Sequence, residues 1–79
     1  MHFKELIIIL KHRRESLQVS QEVLAELSGV GLRTLKQIES GKGNPTLSTL
    51  QKLADVLGLE MCLQLKKNLK LNENSKNII

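Results

Sequence analysis

The sequence predicts a mainly α fold of four to five short helices, followed by a C-terminal β-strand that pairs across a dimer. Three observations predict it. Apolar residues recur at helical spacing in four separate segments. The second and third of these are joined by a turn of only about three residues centred on Gly29, which forces a sharp angle between them. From Leu59 onward the apolar period changes to two, the period of a half-buried strand.

The first helix is expected from Phe3 to about Ser16, with Phe3, Leu6 and Leu10 on one stripe. Its middle, "LIIIL", is apolar on nearly every side, because Ile7, Ile8 and Ile9 fill the gaps. β-branched residues also suit a strand, but the flanking "HRRES" favours helix. The surplus of isoleucine suggests a second buried surface, since a helix of a monomer needs only one apolar stripe. Leu17-Gln18-Val19 is a connection, and Ser20 is a good N-cap for a second helix from Gln21 to about Leu27. Gly29 ends that helix in the left-handed conformation. Gly31 then caps a third helix, Leu32 to about Ser40, which Gly41 ends. "KGNP" is a loop. Thr46 caps a fourth helix, about Leu47 to Leu57, with Leu47, Leu50, Leu53, Ala54 and Leu57 at helical spacing and Gly58 as its stop.

Composition sets the outer bounds. The chain has 79 residues, enough for one domain with one modest core. Phe3 is its one aromatic residue, so that core must be aliphatic. The net charge of +4 admits an anionic partner without identifying it. A single cysteine cannot form an intrachain disulfide and fits a reducing cytoplasm. The longest apolar run, Leu6 to Leu10, is too short to span a bilayer, and with charges on both sides of it we expect no signal peptide. Residues 1–58 read as a helix-turn-helix domain, 59–71 as a dimerisation strand and 72–79 as a flexible tail, the last able instead to dock a partner.

The bracketed third helix carries the chemistry. With Val30 and Ile38 closing the core beneath it, Leu32, Arg33, Lys36 and Gln37 are left on its outward side. Arg33 suits the O6 and N7 of guanine, Gln37 the N6 and N7 of adenine, and Leu32 a thymine methyl. Lys36 can reach base or phosphate. The backbone N–H groups of Lys42 and Gly43 can hold phosphate, as can the helix N-terminus led by Ser20 and Gln21.

Residues 10–59 resemble the Cro/lambda-repressor type of helix-turn-helix domain, the XRE-like family. The residues that carry the resemblance are "VSQEVLAELSGVGLRTLKQIESGKGNPTLSTLQKLADVLGL". It implies a dimeric, sequence-specific DNA-binding repressor. It implies that Gln21, just after the second helix's cap, contacts phosphate. It also implies that bases are read by Gly31, Leu32 and Arg33, with Lys36 and Gln37 further on. A family ion pair between the first helix and the end of the third falls on Arg14 and Glu39, as a structural pair. One departure is Gly31, where the family often has Ser or Thr and a hydroxyl contact to phosphate.

The C-terminal pattern narrows the resemblance. Leu59, Met61, Leu63, Leu65, Leu69 and Leu71 share one parity, with polar residues and Cys62 on the other. A lone strand leaves backbone groups unpaired, so pairing with the same strand of a second chain is the simpler solution, although a hairpin near Lys67-Asn68 stays open. This plan is similar to HipB-like antitoxins, which implies a protein that represses its own operon and binds a HipA-type kinase toxin. A stand-alone phage-type or restriction-control repressor is the alternative, and an interaction module that has lost DNA binding is a third class.

Blander readings stand beside these. Arg33, Lys36 and Gln37 can be only a solvated face, a reading that the surrounding pattern disfavours. In the Lys11, Arg13 and Arg14 cluster, Arg13 stays open between phosphate and solvent. "GVG" follows a helix and lacks the third glycine of a dinucleotide loop. His2, His12 and Cys62 make no metal spacing, and no serine has a recognisable base or oxyanion motif nearby. We therefore expect no enzyme activity, no metal, no cofactor and no membrane association.

Overall fold

Ser20 and Thr46 each stand one residue ahead of a helix and close its first turn with their own side chains. Ser20 Oγ accepts from the Val23 N–H at 3.1 Å, and Thr46 Oγ1 accepts from the Thr49 N–H at 3.1 Å. The structure, a computed structural model, describes residues 3–63. They form α1 (Phe3–Ser16), α2 (Gln21–Ser28), α3 (Leu32–Glu39) and α4 (Leu47–Leu57). The expected helices are thus found to within a residue, and "LIIIL" is helical. Between α1 and α2 the chain turns through Gln18, whose φ of 59° lies in the left-handed region.

Two glycines end their helices by the same device. After α4, Gly58 (φ 72°) donates to the Asp55 carbonyl and Leu59 to the Ala54 carbonyl, a Schellman closure. After α3, Gly41 (φ 83°) donates to Ile38 and Lys42 to Gln37 in the same pattern. The turn between α2 and α3 rests on Gly29, at φ 77°, whose N–H donates to Ala25.

The four helices enclose one aliphatic core. Leu24, Leu35, Leu53 and Leu57 are its most deeply buried large side chains, each worth roughly 1.5–3 kcal/mol of transfer free energy. Ala25, Val30 and Ile38 are buried with them, so α2 and α3 approach as the small residue and the turn require. Ile7 and Leu10 turn α1 into this core, whereas Ile8 and Ile9 are exposed.

One ion pair is set into the helix junction. Arg14 on α1 grips Glu39, the last residue of α3, through Nε to Oε2 at 2.8 Å and Nη2 to Oε1 at 3.0 Å. Its Nη1 donates to the Val19 carbonyl at 2.7 Å, just before α2. The two side chains are only 11% and 5% exposed, so solvent screens them weakly. The bond to Glu39 holds the Arg14 guanidinium above its already high ordinary pKa, against the opposing effect of burial. Arg13, one residue earlier, turns the other way and donates to the Leu57 carbonyl at 2.9 Å, at the end of α4 where a cation is favoured.

The expected strand is not found among the described residues. Leu59 and Met61 are half-buried against the core, Glu60 and Cys62 are exposed, and Leu63 is fully exposed, so only two alternate residues pack inward. A strand needs a neighbour for its backbone groups, and no other segment of the described chain is extended beside this one. Leu65, the remainder of the 59–71 segment and the 72–79 tail lie outside the described residues.

Gly29→Ala should cost about 1–2 kcal/mol, all of it backbone strain, because nothing lies within 4 Å of the added Cβ. Urea denaturation followed by circular dichroism measures this, and Gly29→Asn should recover part of the loss. Glu39→Ala should cost up to about 3 kcal/mol by leaving a partly buried guanidinium without its carboxylate, while the paired replacement Arg14→Met with Glu39→Met should restore most of the stability.

Candidate nucleic-acid interface

The outward face of α3 follows from its core face. Leu35 and Ile38 are buried, which fixes the helix about its own axis and leaves Arg33, Lys36 and Gln37 exposed. Leu32 is different: it is half-buried and packs partly on the core, so less of it is offered outward than the spacing suggested. Leu32, Arg33, Lys36, Gln37, Ser40 and Lys42 together line one open groove. Three of the six are cations, and none is a carboxylate.

Lys42 reaches this groove from the loop after α3. Its backbone N–H, expected to be a phosphate donor, is taken by the Gln37 carbonyl at 2.9 Å. The same carbonyl accepts from Ser40 Oγ at 2.8 Å. What Lys42 offers the groove is therefore its ammonium group. The signal was present in the sequence, since a glycine that closes a helix engages the N–H of the residue after it. Gly43, at φ 80°, is exposed in the same loop. Ser40 is a groove residue that sequence reasoning missed.

The α2 N-terminus, which meets the C-terminal end of α3 through Gln21 and Glu39, is well defined. Ser20 caps it with its side chain, so that oxygen already has one partner. Gln21 is half-buried, and its Nε2 donates to Glu39 Oε1 at 2.9 Å. The expected phosphate ligand thus has an internal partner, on the same carboxylate that Arg14 holds. Spacing alone gives no sign of this bond, because the two residues lie 18 positions apart. Gly31 caps α3 with no side-chain bond, and a Cβ there would meet only Thr34 Oγ1 at an ordinary 3.8 Å. A side chain beginning with a Cβ is therefore not blocked at its first atom at that position.

Arg13 is not part of this face, being held on α4. Among the described residues, no three acidic, histidine or cysteine side chains come together as a metal cluster, and Cys62 is exposed and free. No helix among them is long and apolar enough to cross a membrane.

The comparisons agree with this geometry. A family model described as helix-turn-helix matches residues 10–63, which include α2, the Gly29 turn and α3. The chain is 31% identical over an 85-residue alignment to the cryptic phage CTXphi transcriptional repressor RstR of Vibrio cholerae, covering 89% of this chain and 76% of that protein. It is 46% identical over 55 residues to an uncharacterized HTH-type transcriptional regulator of Haemophilus influenzae, covering 70% of this chain and 52% of that one. With a family match over α2, α3 and α4, and relatives that are regulators, the chain belongs to the Cro/C1-type helix-turn-helix family of transcriptional regulators.

Proposed function

We propose that this regulator is a repressor that binds a palindromic operator as a homodimer and blocks transcription by occupying a promoter. The observation that carries the reading is the groove face of α3, where Arg33, Lys36 and Gln37 stand on a helix held by the core beneath it and Lys42 joins them from the following loop. Arg33 and Gln37 read base edges in the major groove, Leu32 adds apolar contact, and Lys36 and the Lys42 ammonium neutralise phosphates. Gly31 lets the backbone come close at the start of α3. Ser20, Gln21 and the Gly43 N–H hold the phosphate backbone on either side. Two copies place their α3 helices about 34 Å apart, in successive major grooves.

The second copy pairs through the segment that begins at Leu59, with Leu59, Met61, Leu63 and Leu65 on its apolar side. In the same assembly, the exposed Ile8 and Ile9 of α1 become buried. A phage-type repressor without a toxin partner is supported by the similarity to the Vibrio phage repressor. The antitoxin reading, with a HipA-type kinase toxin as partner, is supported by the alternating apolar pattern after Gly58. A kinase-like product of the neighbouring gene would favour the second.

The test is fluorescence anisotropy with the DNA just upstream of the protein's own gene, in the presence of competitor DNA and across a salt series. Competitor-resistant binding that weakens steeply with salt is the expected result. Binding that competitor removes at every salt concentration would count against that operator. Arg33→Ala should cost about 1–3 kcal/mol and relax preference at one base pair, whereas Lys42→Ala should weaken all sequences alike and reduce the salt slope by about one. Sedimentation equilibrium should give a dimer for the full chain and a folded monomer after truncation beyond Gly58. An intact dimer after truncation would refute the strand pairing.

A further inference from the structure

We propose that Glu39, held by Arg14, is a positioning residue for DNA binding: it orients the side-chain amide of Gln21 and ties the phosphate contact of α2 to the base-reading helix α3. The inference rests on the DNA-binding reading above and deepens it.

The chemistry of the three groups dictates the arrangement. Glu39 Oε2 accepts from Arg14 Nε at 2.8 Å, and Oε1 accepts from both Arg14 Nη2 at 3.0 Å and Gln21 Nε2 at 2.9 Å. An ionised carboxylate only accepts. The nitrogen of the Gln21 amide must therefore lie on the Glu39 side, because a flipped amide would set its carbonyl oxygen against the carboxylate. That nitrogen has two donors, and one is taken by Glu39. A phosphate oxygen also only accepts, so the second N–H is the one group of this amide that can serve it. Without Glu39, the two-carbon stem of Gln21 is free to rotate, and the amide offers its oxygen as readily as its nitrogen.

Arg14 completes the device. A bare carboxylate beside a DNA backbone would repel it, and the two-point grip of Arg14 neutralises that charge in place. Glu39 is the last residue of α3, and Gln21 is the first of α2. One hydrogen bond thus sets where the phosphate anchor stands relative to Arg33 and Gln37. Phosphate contacts fix register and base contacts read sequence, so a fixed spacing between the two determines which base pairs the helix meets.

The experiment uses the full chain, labelled with nitrogen-15, and a short random-sequence duplex at low salt, because a phosphate contact does not depend on sequence. In the free protein the Gln21 side-chain amide should be rigid by nitrogen-15 relaxation, with the proton that faces Glu39 protected from exchange, and the duplex should move the other proton. A freely rotating Gln21 amide overturns the proposal. So does a locked amide that the duplex leaves unmoved while Arg33 responds, an outcome that leaves the DNA reading intact. If neither Gln21 nor Arg33 responds, the DNA reading itself falls and the positioning role falls with it. A second arm uses the paired replacement Arg14→Met with Glu39→Met, whose folding is checked by thermal melting. Duplex affinity should drop about threefold to tenfold, the cost of ordering one freed side chain, while the folded fraction is maintained. Adding Gln21→Ala should then cost nothing further. Undiminished affinity, or losses that simply multiply, would contradict the coupling.

Discussion

The Arg14–Glu39 pair is the constraint on which the rest of the molecule depends. Aliphatic packing holds the four helices together, but it is non-directional and tolerates sliding. A guanidinium gripping a carboxylate through two parallel hydrogen bonds does not slide. The same guanidinium holds the Val19 carbonyl, and the same carboxylate holds Gln21. One partly buried charge pair therefore sets the end of α3, the entry to α2 and the flank of α1 relative to one another. Such pairs add little net stability over an apolar replacement of equal volume. What this one supplies is geometry at the place where α2 and α3 must present a surface together.

Glycine supplies the other half of that geometry. Gly29 takes a left-handed conformation at no steric cost and turns the chain from α2 into α3. Gly41 closes α3 and draws the Lys42 N–H back onto Gln37, which leaves only the side chain of that lysine to serve the groove it lines. The groove face is then the part of α3 that Leu35 and Ile38 do not occupy. Its cationic character comes from three side chains on about ten residues, while the net charge of the whole chain is only +4. Concentration of charge on one face, rather than total charge, suits a surface that must meet a phosphate backbone in one orientation.

Most of the fold was legible in the sequence because its signals are local. Ser20 and Thr46 announce helix starts, Gly29, Gly41 and Gly58 announce ends, and the leucine spacing of α4 marks its buried face. Arg33, Lys36 and Gln37 were legible as an outward set for the same reason. Three things were not. The half-burial of Leu32 depends on how closely α3 lies on its neighbours, which periodicity cannot measure. The bond from Gln21 to Glu39 joins residues far apart in sequence, and nothing in either neighbourhood requires it. The strand expected from Leu59 onward rests on alternation alone. Leu59 and Met61 follow that alternation by packing on the core, but the described residues provide no partner strand.

The central claim is that α3 enters the major groove and that Arg33 meets guanine there. Methylation protection tests it directly, because dimethyl sulfate attacks guanine N7 in the major groove and adenine N3 in the minor groove. With the duplex that the protein selects from a random pool, guanine N7 positions should be protected in each half-site, and Arg33→Ala should release one of them. Protection confined to adenine N3, or a guanine pattern indifferent to Arg33, would contradict the account.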